Sequence, residues 1–133
     1  PHRDKKRGTE KSMAIALEHV AEIGGFVGTA AQLHELLNAP GLDIPELCQI
    51  DTKDKAWPRG GIGIGMRLPR IIAPLRSRGV YVYQCHFSEI EETFGDGIKG
   101  LTRAWRDKPY IDQDRMIIIS KDDIKLVEQS IRG

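Results

Sequence analysis

From Ser12 onward the apolar positions fall into runs of two kinds. Met13, Ala16, Leu17, Val20 and Ile23 recur every three or four residues, the spacing that lines one face of an α-helix, and Gly24-Gly25 stops the run. Phe26-Val27 is a short apolar pair of strand character. Thr29 follows as an N-cap, since its hydroxyl can accept from a backbone N–H left without a partner in the first turn. Ala30, Leu33, Leu36 and Leu37 carry the next helical stripe until Asn38, Pro40 and Gly41 end it. In "DIPEL" Asp43 is placed to cap and Glu46 stands three residues on, as in a capping box, so one helical turn is predicted over 44–49.

Ile64, Leu68, Ile71, Ile72 and Leu75 recur at i, i+4, i+7, i+8 and i+11, which predicts a helix with one apolar face over about 62–78. Arg67, Arg70, Ala73, Pro74 and Ser77 fall on the other face, and Gly79 is the stop. Pro69 and Pro74 lack an N–H and each costs about 3 kcal/mol or more inside a helix. The pattern therefore leaves two options, a kinked helix or one that begins only near Pro69. "VYVYQ" (80–84) and "RMIIIS" (115–120) are β-branched and aromatic or apolar runs, hence strands. They are expected to pair antiparallel, because a lone strand leaves its backbone groups unsatisfied; only the Phe26-Val27 stretch competes. Between them, 85–114 reads as an insertion with a helix capped by Ser88, a break at Gly95 and Gly97, and a second helical piece at "LTRAWR". Ser120 is placed to cap a last helix, and residues 1–11 read as a disordered basic arm.

The length of 133 residues suits one domain with a real core, and 40% apolar with 29% charged residues is ordinary for a soluble protein. No apolar run approaches the roughly 20 residues needed to cross a bilayer. The opening "PHRDKKRGTEK" has no apolar stretch behind it and is not a secretory signal; the lack of an initial Met suggests a trimmed sequence or a domain cut from a longer chain. Cys48 and Cys85 form no CxxC pair, which argues against a disulfide framework or zinc site and for a cytoplasmic protein.

The net charge of +1 conceals segregation. Residues 12–50 hold five acids and no Lys or Arg, residues 51–80 hold seven Lys or Arg against two Asp, residues 81–98 hold four acids and no base, and residues 99–119 return to +2. One face basic and another acidic suits an anionic partner held on one side.

"WPRGGIGIGM" (57–66) is the stretch closest to a nucleotide-binding motif. A P-loop needs GxxxxGK[ST], and no Lys-Ser or Lys-Thr follows these glycines. A dinucleotide loop needs GxGxxG after a buried strand, whereas Gly61-x-Gly63-x-Gly65 is a residue short and follows a charged connector. The glycines are better read as the start of an arginine-bearing helix, where small residues allow close backbone approach and exposed N–H groups attract phosphate. No Ser/His/Asp or paired-carboxylate arrangement stands out, and His19, His34, Cys85 and His86 lack partners at metal-ligand spacing. The chain is read as a non-enzyme without cofactor. Trp57 is read as a core anchor over the helix start in preference to a base-stacking residue; Trp105, between Arg103 and Arg106, suits either a nucleic-acid contact or burial with Leu101.

Two stretches carry a resemblance. "GFVGTAAQLHELLNA" looks like the first strand and second helix of a winged helix-turn-helix, and "WPRGGIGIGMRLPRIIAPLRSRGVYVY" is similar to its recognition helix and first wing strand. Trp57-Pro58, then Leu68, Ile72, Leu75 and Gly79-Val80, resemble winged helices of phage, plasmid and mobile-element replication proteins, which often sit beyond a primase or helicase module. The resemblance implies an α+β fold: a single winged-helix domain over 12–133 with a small antiparallel sheet and an enlarged, partly helical wing insertion at about 85–114. It implies a DNA-binding module that docks the 62–78 helix in the major groove. Arg67 and Arg70 would then reach base edges or phosphates, and Arg59, Arg76 and Arg78 would neutralise phosphates. Lys99, Arg103, Arg106, Lys108 and Arg115 of the wing or insertion would touch the backbone or minor groove. The expected partners are double-stranded or single-stranded DNA, a parent replication protein, or a second copy, with no membrane. The alternative is a winged helix used for protein interaction or oligomerisation.

Overall fold

The computed structural model describes residues 2–53, 57–95, 98, 101, 110–122 and 124, and for 2–11 the backbone alone. Within them lie helices α1 (His2–Glu22), α2 (Ala30–Leu37), α3 (Ile44–Leu47), α4 (Gly61–Ser77) and α5 (Ile90–Phe94), with a 3-10 turn at Phe87–Glu89. Strands β1 (Phe26–Thr29), β2 (Tyr81–His86) and β3 (Arg115–Ser120) form an antiparallel sheet in the order β1-β3-β2. The fold is thus α+β, as expected. The pairing expected between the two longer strands is present, from Tyr81 opposite Ser120 to His86 opposite Arg115. The short stretch at Phe26 does not compete with it. It pairs along the other edge of β3, Phe26 opposite Ile119 and Thr29 opposite Met116, which makes β3 the central strand.

That position explains the sequence of β3. Successive side chains point to opposite faces of a sheet, and Met116 to Ser120 are all buried. Ile117 and Ile119 join Phe26, Val82, Leu17, Leu33, Ile64 and Leu68 in the main core between sheet and helices. Met116 and Ile118 face the other way, into a second cluster with Val27, Ile90 and Phe94. The described part of the 85–114 segment therefore covers the second face of the sheet. Phe94 meets the Tyr83 ring edge-on at 5.1 Å. Tyr110 Oη donates to Gln32 Oε1 at 2.7 Å, which ties the end of the segment to the start of α2. The "LTRAWR" piece beyond Leu101, with Trp105, lies outside the described residues.

Local chemistry sets the element ends. Thr29 caps α2 as expected: Gln32 N–H donates to Thr29 Oγ1 at 3.3 Å, and Thr29 N–H donates back to Gln32 Oε1 at 3.0 Å. Two other expected caps are corrected. Asp43 has left-handed backbone (φ 50) and its side chain makes no capping bond to α3. Ser88 lies inside the 3-10 turn, whose cap is His86, with His86 N–H donating to Glu89 Oε1 at 2.9 Å. The first helix starts at His2 instead of Ser12, so it extends into the segment expected as an arm; residues 2–11 contain no proline and are rich in Lys and Arg, which favour helix. Ile23, assigned to the buried stripe, falls beyond the helix end and is 44% exposed. The chain turns there at Gly24 and Gly25, both with positive φ. A Cβ on Gly25 would lie 2.6 Å from Ile119 O, so the turn admits only glycine. Ser120 Oγ accepts from Asp122 N–H at 3.1 Å, and the final helix expected beyond it lies outside the described residues.

Helix α4 begins at Gly61 and runs through both prolines, which rules out a start near Pro69. Pro69 and Pro74 sit on the exposed side, where water can reach the carbonyls of Gly65 and Arg70 that lose their i+4 donors. The helix ends as expected at Gly79 (φ 83), with Val80 N–H donating to Leu75 O at 2.9 Å.

Candidate nucleic-acid interface

Helix α4 buries Ile64, Leu68, Ile71 and Leu75. At about 3.6 residues per turn, the ridge directly opposite is Ile62, Met66, Pro69, Ala73 and Ser77. All five are exposed, Ile62 by 83% and Met66 by 72%. The ridge carries no charge. Arg67 and Arg70 lie along one flank of it, and Gly61 and Gly65 along the other. Beside the glycine flank runs a groove of about 920 Å³, bounded by the start of α2 and by the ends of β2 and β3; Ala30, Gly65, Met66, Cys85, Arg115 and Met116 are among its walls. Glu89 and Asp114 line it as well. Each carboxylate is engaged locally, Glu89 with His86 and Asp114 as acceptor for Ile111 N–H at 2.9 Å.

The glycines of "WPRGGIGIGM" divide by what surrounds them. A Cβ on Gly61 would lie 2.7 Å from Ala31 N and 3.0 Å from Ala30 C, so α2 and α4 meet backbone to backbone at their N-terminal ends. Gly65 has nothing within 4 Å of a built Cβ. Gly61→Ala is therefore expected to destabilise by about 1–3 kcal/mol through overpacking against backbone. Gly65→Ala is expected to stabilise by roughly 0.5–1 kcal/mol through helix propensity. Urea unfolding of the two variants checks this; shifts of the same sign would contradict the packing described.

The arginines are spread around this ridge, each in a different setting. Arg59 spans the connector before α4, its guanidinium donating to Thr52 O at 2.9 Å and Lys53 O at 3.1 Å. Arg67 is half-buried and donates to Gly63 O at 3.1 Å, lying back along its own helix. Arg70 is exposed on the same flank. Arg115, exposed at the start of β3, stands across the groove. Arg76 lies over the Tyr81 ring at 5.7 Å, and Arg78 pairs with Glu18 of α1 at 3.0 Å. These last two hold the C-terminal end of α4 to β2 and α1. Lys99, Arg103, Arg106 and Lys108 lie outside the described residues.

Trp57 is 3% exposed and belongs to the main core, the place expected for an anchor over the helix start. Cys85 lines the groove, and burial, with the nearby Glu89 carboxylate, pushes its thiol pKa up. It is a thiol at neutral pH and a weak nucleophile. No helix among the described residues is long and apolar enough to cross a membrane. Ile62 and Met66 are the residues that the sequence reading missed. The signal was present in the helical period, which puts both opposite Ile64 and Leu68; the polar face was counted only from Arg67 onward.

A comparison with protein-family models matches residues 13–123 to the AICE RepA C-terminal domain. The chain belongs to that family, and so to the domains of mobile-element replication proteins. Comparisons with curated proteins and with solved structures gave no match.

Proposed function

We propose that this domain is a winged helix-turn-helix that binds double-stranded DNA, with α2 and α4 as the helix pair and α4 as the helix laid in the major groove. The observation that carries the reading is the surface of α4. The helix buries one face only, its outward ridge is exposed, and cations stand on both sides of that ridge: Arg67 and Arg70 on one flank, Arg115 across the groove on the other. A helix in a major groove needs this layout, since a phosphate backbone runs along either side of it. The sheet order β1-β3-β2 and the uncapped N-terminus of α4 are consistent with the same fold and docking. No acid occurs between Lys55 and Ser88, so α4 itself carries no negative charge; the acids on this surface are Glu89 and Asp114, which line the groove beside Arg115 and are engaged locally. Arg76 and Arg78 are held at the C-terminal end of α4 by Tyr81 and Glu18, away from the N-terminal half of the helix, and contribute less to phosphate binding than Arg59, Arg67, Arg70 and Arg115.

A second reading is favoured by the exposure of Ile62 and Met66: the ridge docks a protein, either the remainder of a replication protein or a second copy. The two readings separate on Arg70. Arg70→Ala should weaken duplex binding by about 1–3 kcal/mol if its guanidinium contacts DNA. Its melting temperature should hardly move, because the side chain is exposed. Leu68→Ala is the contrasting variant, unfolding the domain through a core cavity without acting on the interface. Fluorescence anisotropy on a labelled duplex at low salt reads the first effect and circular dichroism melts the second. An Arg70→Ala variant that keeps full duplex affinity would count against the DNA reading.

A further inference from the structure

The part of α4 most exposed to a partner is apolar, although the element as a whole is basic. Ile62 and Met66 are one helical turn apart on the ridge opposite the core, and they are more exposed than any other large hydrophobic side chain of the described residues. Both belong to the N-terminal half of α4, the end that contacts base edges when such a helix enters a major groove. Gly65 between them adds no side chain to the approach. In the major groove the one apolar group on a base edge is the C5-methyl of thymine. Resting on the DNA reading above, we infer that Ile62 and Met66 read thymine methyl groups, so that sequence preference comes from apolar contact at T·A pairs while the arginines hold the phosphates.

The spacing fits. Four residues of helix advance about 6 Å, close to two steps of a duplex at roughly 3.4 Å per step. The two side chains thus reach two T·A pairs within about three consecutive pairs. The charge distribution fits as well. An apolar ridge bracketed by Arg67 and Arg70 on one flank and Arg115 on the other matches an apolar base edge between two anionic backbones. Glu89 and Asp114 line the groove on the same side as Arg115, and both are engaged locally.

The test uses a duplex recovered by selection from a random library with this domain. It is then synthesised either with thymine or with deoxyuridine at every thymine, which keeps base pairing and removes only the methyl. The wild-type domain should bind the deoxyuridine duplex about fourfold more weakly for each contacted methyl withdrawn. The Ile62→Ala, Met66→Ala double variant should bind both duplexes equally, and its melting temperature should be that of the wild type because both side chains are exposed. Equal wild-type affinity for the two duplexes would overturn this inference and leave the DNA reading standing. Discrimination that persists in the double variant would also overturn it, by placing methyl readout elsewhere. Absence of duplex binding at low salt would overturn the DNA reading itself. If the double variant instead loses self-association while binding DNA as before, the ridge is a protein contact and the inference fails.

Discussion

Replacing Phe94 with alanine is expected to destabilise the domain by about 3–5 kcal/mol, the range for deleting a buried aromatic. Phe94 is 2% exposed and stands with Ile90 in the cluster that covers Val27, Met116 and Ile118. A domain of this size has about 5–15 kcal/mol in all, so one side chain of the inserted segment carries a large share of the stability of the sheet. A wing loop that only reached toward DNA would not behave this way. By the same argument, 86–113 cannot be replaced by a short turn with the core left folded. That deletion would bare Met116 and Ile118, both 0% exposed, on the central strand. The expected result is loss of cooperative unfolding and aggregation. Urea denaturation of Phe94→Ala and of the deletion measures both. A change below about 1 kcal/mol for Phe94→Ala, within the range of ordinary surface substitutions, would mean that the second cluster is not a true core.

How much of this was legible in the sequence depends on the range of the interaction. Period and punctuation gave α2 with its Thr29 cap, the body and Gly79 stop of α4, and the two longer strands, because each is decided by neighbours within a few residues. "RMIIIS" was legible as a strand. Its unbroken apolar run also marked it as buried on both faces, a sign that the wing interpretation passed over. The partner of its second edge is only four residues long, too short for periodicity to assign. Asp43 was misread because a capping motif specifies residue types but says nothing of a left-handed backbone. In the candidate site, the glycine stretch was read correctly in kind as a place of close approach, but its neighbour is the backbone of Ala30 and Ala31. The settings of the arginines were not legible. The Glu18–Arg78 pair joins residues sixty apart in sequence, and the Arg76–Tyr81 contact depends on where β2 lies against α4.

The second large effect is the response of DNA binding to salt. Each phosphate neutralised releases condensed counterions, so log affinity falls with log salt at about −0.9 per contact. With about four contacts, from cations such as Arg59, Arg67, Arg70 and Arg115, the slope is roughly −3.6, and affinity drops about 150-fold between 50 and 200 mM salt. Arg70→Ala should make the slope shallower by about one unit, because it withdraws one phosphate contact from the ridge.

The most direct measurement of the central claim is therefore the affinity of the domain for a labelled duplex, titrated by anisotropy across that salt range. The account predicts tight binding at low salt and a log–log slope near −3.6 for about four contacts. No binding at low salt, or an affinity indifferent to salt, would contradict it.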